Sequence, residues 1–330
     1  MSEATTMQRL RPFLPAAGVL VVAYGFFYLW SQAKTAAVLA FAVRYAIPLI
    51  LAAMCGLIGE RTGIVNIGIE GEMLFAAFIA FFVATVVGPW VGIVAGLLAG
   101  AAVGGFLALC AVRWHVDQII AGTVINILSL GLTSFFYRQG RTVKGQLPSW
   151  RIPGLADIPL LGKVFFDRGP IAYLALILVF VVHILLFRTR WGLRSRAVGE
   201  HPSAADTVGV SVERLRYMNT ALAGGLAGLA GAFISLESAG TFERGMTASR
   251  GFLALAIMIM GRWRPLLAAA SALFFGLMTG VANQLNFDKV INIPPQFINM
   301  IPYLLTIAVL AIFAGKVRPP AAAGTPYVKE

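Results

Sequence analysis

The chain has 330 residues, 59% of them hydrophobic and only 12% charged, with a mean hydropathy of +0.83. This excludes a soluble globular domain, and recurring long apolar runs without polar/apolar alternation exclude a transmembrane barrel; the class is an all-α polytopic membrane protein of about ten helices. The net charge of +12 sits in arginines between the apolar runs, where it orients a chain in a lipid bilayer, so no nucleic-acid partner is expected.

In chain order the apolar runs predict spans near 12–30, 36–58, 72–88, 90–112, 117–137, 170–187, 217–238, 250–261, 265–285 and 297–315. The first follows Arg9 and Arg11. Ser31-Gln32-Ala33 loosely resembles a signal-peptidase site, but the length of the run and the interfacial Tyr28 and Trp30 favour an uncleaved span. The eighth run is too short to cross ~30 Å as a straight helix unless it borrows flanking residues. The reading is a single transmembrane domain over 1–330, with its membrane region at 12–315, polar loops at 138–169 and 188–216, and a Pro/Ala-rich tail at 316–330 expected to be disordered. With ten spans, Lys and Arg are in excess on one side (Arg9, Arg11, Arg61, Arg113, the arginines of 188–216, Arg262, Arg264, Lys316, Arg318 and Lys329). That bias places both termini and 188–216 in the cytoplasm, and 138–169 outside. Arg44 lies within span two, either at its outer interface or as a buried structural cation.

Small residues form stripes. Gly92, Gly96, Gly100 and Gly104 share one face of span four, and Gly224, Gly228 and Ala232 one face of span seven, spacing that lets helix backbones approach closely. "GERTG" at 59–63 follows span two and "FERG" at 242–245 follows span seven, which suggests two inverted five-span halves.

No Walker A, HExxH or GxSxG string is present, and Cys55 and Cys110 form no metal-ligand spacing with His115, His183 or His201. The reading contains no catalytic residue, no metal site and no cofactor bound by this chain. "GERTGIVNIGIEGEMLF", Gly59–Phe75, is the polar exception between two apolar runs. Its glycines permit a broken or re-entrant segment. It either lines, or holds the shape of, a translocation path, with Asn66, Glu70 and Glu72 as the polar groups, or it is an ordinary loop whose Glu70 and Glu72 favour a positive helix end. Asn126 and Glu237 are the further polar candidates for the path. Asn66 is expected to face it, as a neutral amide suits an uncharged solute.

The second signal is Arg188–Tyr217. Here His201 or Ser203 could cap a short helix, Pro202 suits its first position, Ala204 and Ala205 make it small-sided, and Gly209 suits its end. Such a helix can be presented to a cytoplasmic partner.

The strings "GERTGIVNIGIEGEMLFAAF", "RTRWGLRSRAVGEHPSAADTVGV" and "GFLALAIMIMGRWRPLLAA" together resemble the permease subunits of ABC importers in the ribose/branched-chain amino acid class. They are most similar to the branch for nucleosides and simple sugars that works with basic-membrane-lipoprotein-type binding proteins. The resemblance covers roughly 36–315. It implies that Ala197–Val210 forms the coupling helix seated in a groove of the ATPase, with Glu200, His201, Pro202, Ser203, Ala204, Ala205, Asp206 and Gly209 as its residues. Family members often carry Asn where this chain has His201. The resemblance also implies a multi-pass protein of the bacterial cytoplasmic (inner) membrane, and three partners: a cytoplasmic ABC ATPase that holds the ATP and magnesium, an extracytoplasmic binding protein or lipoprotein, and a second permease subunit in a heterodimer. The expected cargo is a nucleoside or related small uncharged solute. A simple sugar or branched-chain amino acid is the alternative within the class. An ion-coupled secondary transporter using buried carboxylates such as Glu70 and Glu237 is the alternative outside it.

Overall fold

Where no water can satisfy the backbone, an apolar run must fold as a helix that bonds to itself. The computed structural model describes residues 31–143, 145, 147–158, 161–288, 294–313 and 318–329. The expected span at 12–30 lies outside them. The first half contains α1 (Gln32–Glu60), α2 (Ile69–Val86), α3 (Pro89–Ala108) and α4 (Gln118–Phe136). A connecting segment follows with β1 (Trp150–Arg151), α5 (Leu161–Phe165) and β2 (Asp167–Arg168); next come α6 (Pro170–Arg188), α7 (Arg190–Glu200) and α8 (Pro202–Thr207). The second half contains α9 (Val212–Ala232), α10 (Arg250–Met260), α11 (Pro265–Asp288) and α12 (Pro295–Phe313). Two helices end in wider turns: α3 passes into π-helix at Leu109–Arg113 and α9 at Phe233–Ala239. Among the described residues, seven helices are long and apolar enough to cross a membrane, and Arg250–Met260 is a shorter apolar one.

The expected spans and the helices agree closely, with informative differences at the ends. The seventh span starts at Val212 rather than Tyr217, so Glu213, Arg214 and Arg216 belong to the helix. The eighth element borrows nothing. Its 11 residues reach only roughly 16 Å at ~1.5 Å each, about half the apolar thickness. It starts after Ala248 and Ser249 and stops before Arg262 and Trp263, all four at positive φ.

Packing relates the halves. The pairs α3–α9, α2–α9, α2–α3 and α2–α4 have their counterparts in α11–α1, α10–α1, α10–α11 and α10–α12. That exchange is what two related halves with swapped partners produce. Helices α1 and α9 also pack on each other, and their mostly buried residues form the centre of the main core with α2, α6, α10 and α11. The glycine stripes on spans four and seven face one another. A Cβ on Gly100 would lie 2.3 Å from the Gly224 carbonyl oxygen and 2.5 Å from the Gly228 Cα. Backbone thus meets backbone, and dispersion gains come from atoms that a side chain would hold apart.

Three loop expectations change. The 138–169 segment folds as a two-stranded antiparallel pair, Trp150 opposite Arg168 and Arg151 opposite Asp167, with α5 between them. The 188–216 loop contains α7 as well as the short α8. The tail is not disordered where described: 318–329 forms turns, and its Ala322 and Gly324 amides donate to the Gly199 and Gly63 carbonyls at 2.9 and 3.1 Å. Small side chains let that backbone lie directly on the loops.

The α3–α9 seam predicts that Gly100→Leu, forced against backbone that cannot move alone, lowers stability by about 3 kcal/mol. Gly105→Ala, whose nearest new neighbour would be the Ala221 Cβ at 3.9 Å, should be tolerated. Thermal unfolding of both in detergent checks this, and equal melting temperatures would contradict the seam.

Candidate functional site: crossed helix caps and a short loop helix

A helix N-terminus leaves amide donors that need acceptors. Gly68, at the cap position of α2, has no side chain to offer, and Ser249 at that of α10 and Gly169 at that of α6 make no side-chain cap bond. In each case another helix supplies the acceptor. Asn126 of α4 accepts from the Gly71 amide at 2.7 Å and donates to the Ile67 carbonyl at 3.0 Å. Gly122, one turn earlier, lets α4 lie against the Ile67–Gly68 backbone. Glu70, at the start of α2, reaches the start of α10. It accepts from the Thr247 hydroxyl at 2.6 Å and from the Ser249 and Gly251 amides at 2.9 and 2.7 Å. Glu237, in the π-helical end of α9, accepts from the Ile171 and Ala172 amides at 2.8 and 3.3 Å.

Behind the break lies a closed polar cluster. The Asn66 amide donates to Glu72 at 3.0 Å, the Cys55 thiol donates to the other Glu72 oxygen at 3.5 Å, and Asn66 and Glu72 are both 0% exposed. The expectation that Asn66 faces an open path therefore differs from its position. Its side chain turns inward because Glu72, deep in the core, needs a donor. The structure brings Asn66, Glu70, Glu72 and Asn126 together around one break. Glu237 stands apart, beside a cavity of about 170 Å³ lined by Arg44, Ser149, Asp167 and Arg168 among others. Arg44 donates to the Ser238 carbonyl, and Arg168 donates to the Val164 and Ala40 carbonyls at 2.7 and 3.1 Å.

Glu60 and Arg61 do not bond to each other. Both hold Trp263: Glu60 accepts from its indole N–H at 2.6 Å, and Arg61 donates to its carbonyl at 3.2 and 3.1 Å. Burial lowers the Arg61 pKa, with the Glu200 carboxylate opposing. The role of Trp263 escaped the sequence reading. Its only signal was a tryptophan between two arginines after a short span. Among the described residues, no group of three or more His, Cys, Asp or Glu could hold a metal ion.

The 188–216 loop forms the short helix expected. Pro202 takes its first turn, and Gly209 follows its end at φ +83°. Two details are corrected. His201 occupies the cap position, yet neither it nor Ser203 makes a side-chain cap bond. Ala205 points inward, 4% exposed, onto Val198 and Val212, because a helix this short must bury one face to stay attached. The outward face carries His201, Ser203, Ala204, Thr207 and Val208, the last 77% exposed. Glu200 is exposed and Asp206 half-buried.

Comparison with known proteins adds the following. Residues 38–310 match the family model described as the permease component of branched-chain amino acid transport systems. The chain is 39% identical over 301 residues to the nucleoside ABC transporter permease NupC of Lactococcus lactis subsp. cremoris, covering 86% of this chain and 94% of that one. It is 39% identical over 302 residues to the guanosine ABC transporter permease NupQ of Bacillus subtilis, again covering 86% and 94%. It is 36% identical over 296 residues to TsgC13 of Haloferax volcanii, provisionally a glucose ABC transporter permease, covering 82% and 89%.

The crossed caps predict that Glu70→Ala, which orphans donors at the α10 start, lowers stability by on the order of 3 kcal/mol. Glu70→Gln, which keeps one acceptor oxygen, should lose about half as much. Melting curves in detergent decide it. An alanine variant as stable as the wild type would show that water, rather than Glu70, satisfies those amides.

Proposed function

We propose, since the chain belongs to the permease-component family of branched-chain amino acid transport systems, that it is the membrane subunit of an ATP-driven importer of nucleosides. The single observation that carries this is the 39% identity to NupC and NupQ across most of both chains. This chain hydrolyses nothing in this reading; ATP and magnesium belong to a separate cytoplasmic ATPase. A binding protein or lipoprotein delivers the solute at the outer face, and a second, different permease completes the path in the cytoplasmic membrane, with both termini inside.

In this mechanism ATP-driven closure of the ATPase pair moves α8. The end of α7, just before α8, meets the first-half turn directly: Gly199 sits so close to the Arg61 carbonyl that a Cβ there would lie 2.3 Å from its oxygen. Motion at the coupling loop therefore reaches the turn joining α1 to the broken start of α2. The intramembrane polar residues Asn66, Glu70, Glu72, Asn126 and Glu237 hold the shape of the path. Their bonds to one another and to helix ends support that role over direct solute binding.

The test is uptake of labelled guanosine and uridine by proteoliposomes holding this chain, its ATPase, its second permease and its binding protein. Uptake that needs internal ATP and survives an ionophore is the expected result. Uptake that collapses with the ionophore while ATP persists would make the protein a secondary transporter. Import of glucose but not nucleosides would favour the sugar reading that the likeness to TsgC13 supports.

Two predictions follow from the loops. Val208→Glu, on the exposed face of α8, should cut ATPase co-purification at least fivefold, on the order of 1 kcal/mol of binding, without changing the melting temperature. Ala205→Glu should instead destabilise the loop itself. At the outer face Arg138 and Arg141 are exposed, Arg141 lying over the Phe82 ring, while Lys144 lies outside the described residues. Binding-protein docking should weaken as salt rises; salt-independent transport by the wild type, together with docking unaffected by charge reversal at Arg141 and Lys144, would remove this basic segment from the docking surface.

A further inference from the structure

The described tail, 318–329, reaches several separate cytoplasmic pieces at once. The Ala321 amide donates to the Glu200 carboxylate at 3.2 Å, and the Ala322 amide to the Gly199 carbonyl at 2.9 Å, both at the end of α7. Two residues later the Gly324 amide donates to the Gly63 carbonyl at 3.1 Å, in the turn after α1. The Thr325 carbonyl accepts from Arg216 Nη1 of α9 at 3.0 Å. Tyr327 packs on Val198, Ala205 and Val212, beneath the coupling helix, and Lys329 pairs with Asp206 of α8 at 3.4 Å.

The turn and the tail are fitted to each other. A Cβ on Gly63 would lie 2.7 Å from Arg216 Nη2 and 3.0 Å from the Ala322 carbonyl oxygen. Arg216 is 1% exposed, and its Nε and Nη2 find no hydrogen-bond acceptor among the described residues. A buried guanidinium with so few acceptors is costly to keep. The Thr325 carbonyl is an acceptor that it does find, and the tail brings that carbonyl.

Among the described residues, the six-residue α8 is otherwise joined to the spans chiefly through α7 and the start of α9. A push on a short helix held at its two ends is absorbed by bending. A third tether, made mostly of backbone bonds, stiffens it. We propose that residues 318–329 are a strap that clamps the coupling helix to the first-half turn, with Arg216 as its positioning residue, so that ATPase movement is delivered to the α1–α2 break. This rests on the permease reading given above.

The experiment uses the complete transporter in proteoliposomes, and measures ATPase co-purification, guanosine uptake and ATP consumed per guanosine imported. One variant deletes 318–330 together with Arg216→Leu, which removes the cation that the deletion would orphan. The other is Tyr327→Ala, which leaves the backbone tethers in place. The expected result is ATPase co-purification at wild-type yield, uptake reduced at least fivefold in the truncated variant, and a raised ATP-to-guanosine ratio in both. Wild-type uptake and ratio in the truncated variant overturn the strap. If the truncated chain does not assemble, Tyr327→Ala decides: a raised ratio supports the strap and an unchanged ratio overturns it. A wild-type complex that imports no nucleoside counts against the transport reading instead. The strap is then judged on permease-dependent stimulation of the ATPase, whose full retention in both variants overturns it.

Discussion

Helix ends inside a membrane-embedded bundle have no reliable access to water, so each amide donor there must be met by protein. This chain meets that demand by crossing: one helix supplies the acceptor for the start of another. Glu70 is the central case. It stands at the start of α2 and binds the start of α10, so one carboxylate joins the broken helices of the two halves. Asn126 does the same for α2 and Glu237 for α6. The halves cannot separate at this level without exposing donors, which gives a broken backbone a fixed shape.

The central helices are held differently. The seam of α3 with α9 has little but glycine and alanine between two backbones, so its strength comes from close dispersion contact over a length of helix. Such a seam resists separation but offers no directional bond. Together the two devices give a tightly packed centre with polar hinges at defined places. That arrangement suits a protein that switches between discrete packings rather than deforming continuously.

Where the tail meets the loops the same economy of small residues recurs. Gly199 lies on the Arg61 backbone, Gly63 makes room for Arg216, and the alanines of the tail lie on both. Arg61 and Glu60 add directional bonds to Trp263. The end of α1 thus touches both the end of α7 and the Trp263 turn after α10, so a displacement at one is passed on through it.

The helices were legible in the sequence because hydropathy and length in a bilayer leave one solution. Span 117–137 became Gln118–Phe136 and span 170–187 became Pro170–Arg188 for that reason. The close-approach stripes, the turn at Gly209 and the proline start of α8 were legible too, since each rests on local backbone geometry. What the sequence could not supply was the direction of a side chain. Asn66 looked available to a solute, yet it turns to Glu72; Ala205 looked presented, yet it anchors α8; Glu70, a first-turn acid by local rules, serves a helix 181 residues on. The tail's composition read as disorder because its bonds are backbone bonds to distant loops, which composition does not encode. Local propensity and hydrophobicity determined where the helices are. Only tertiary structure decided which orphaned donor each polar group satisfies, because that depends on what lies beside it in space.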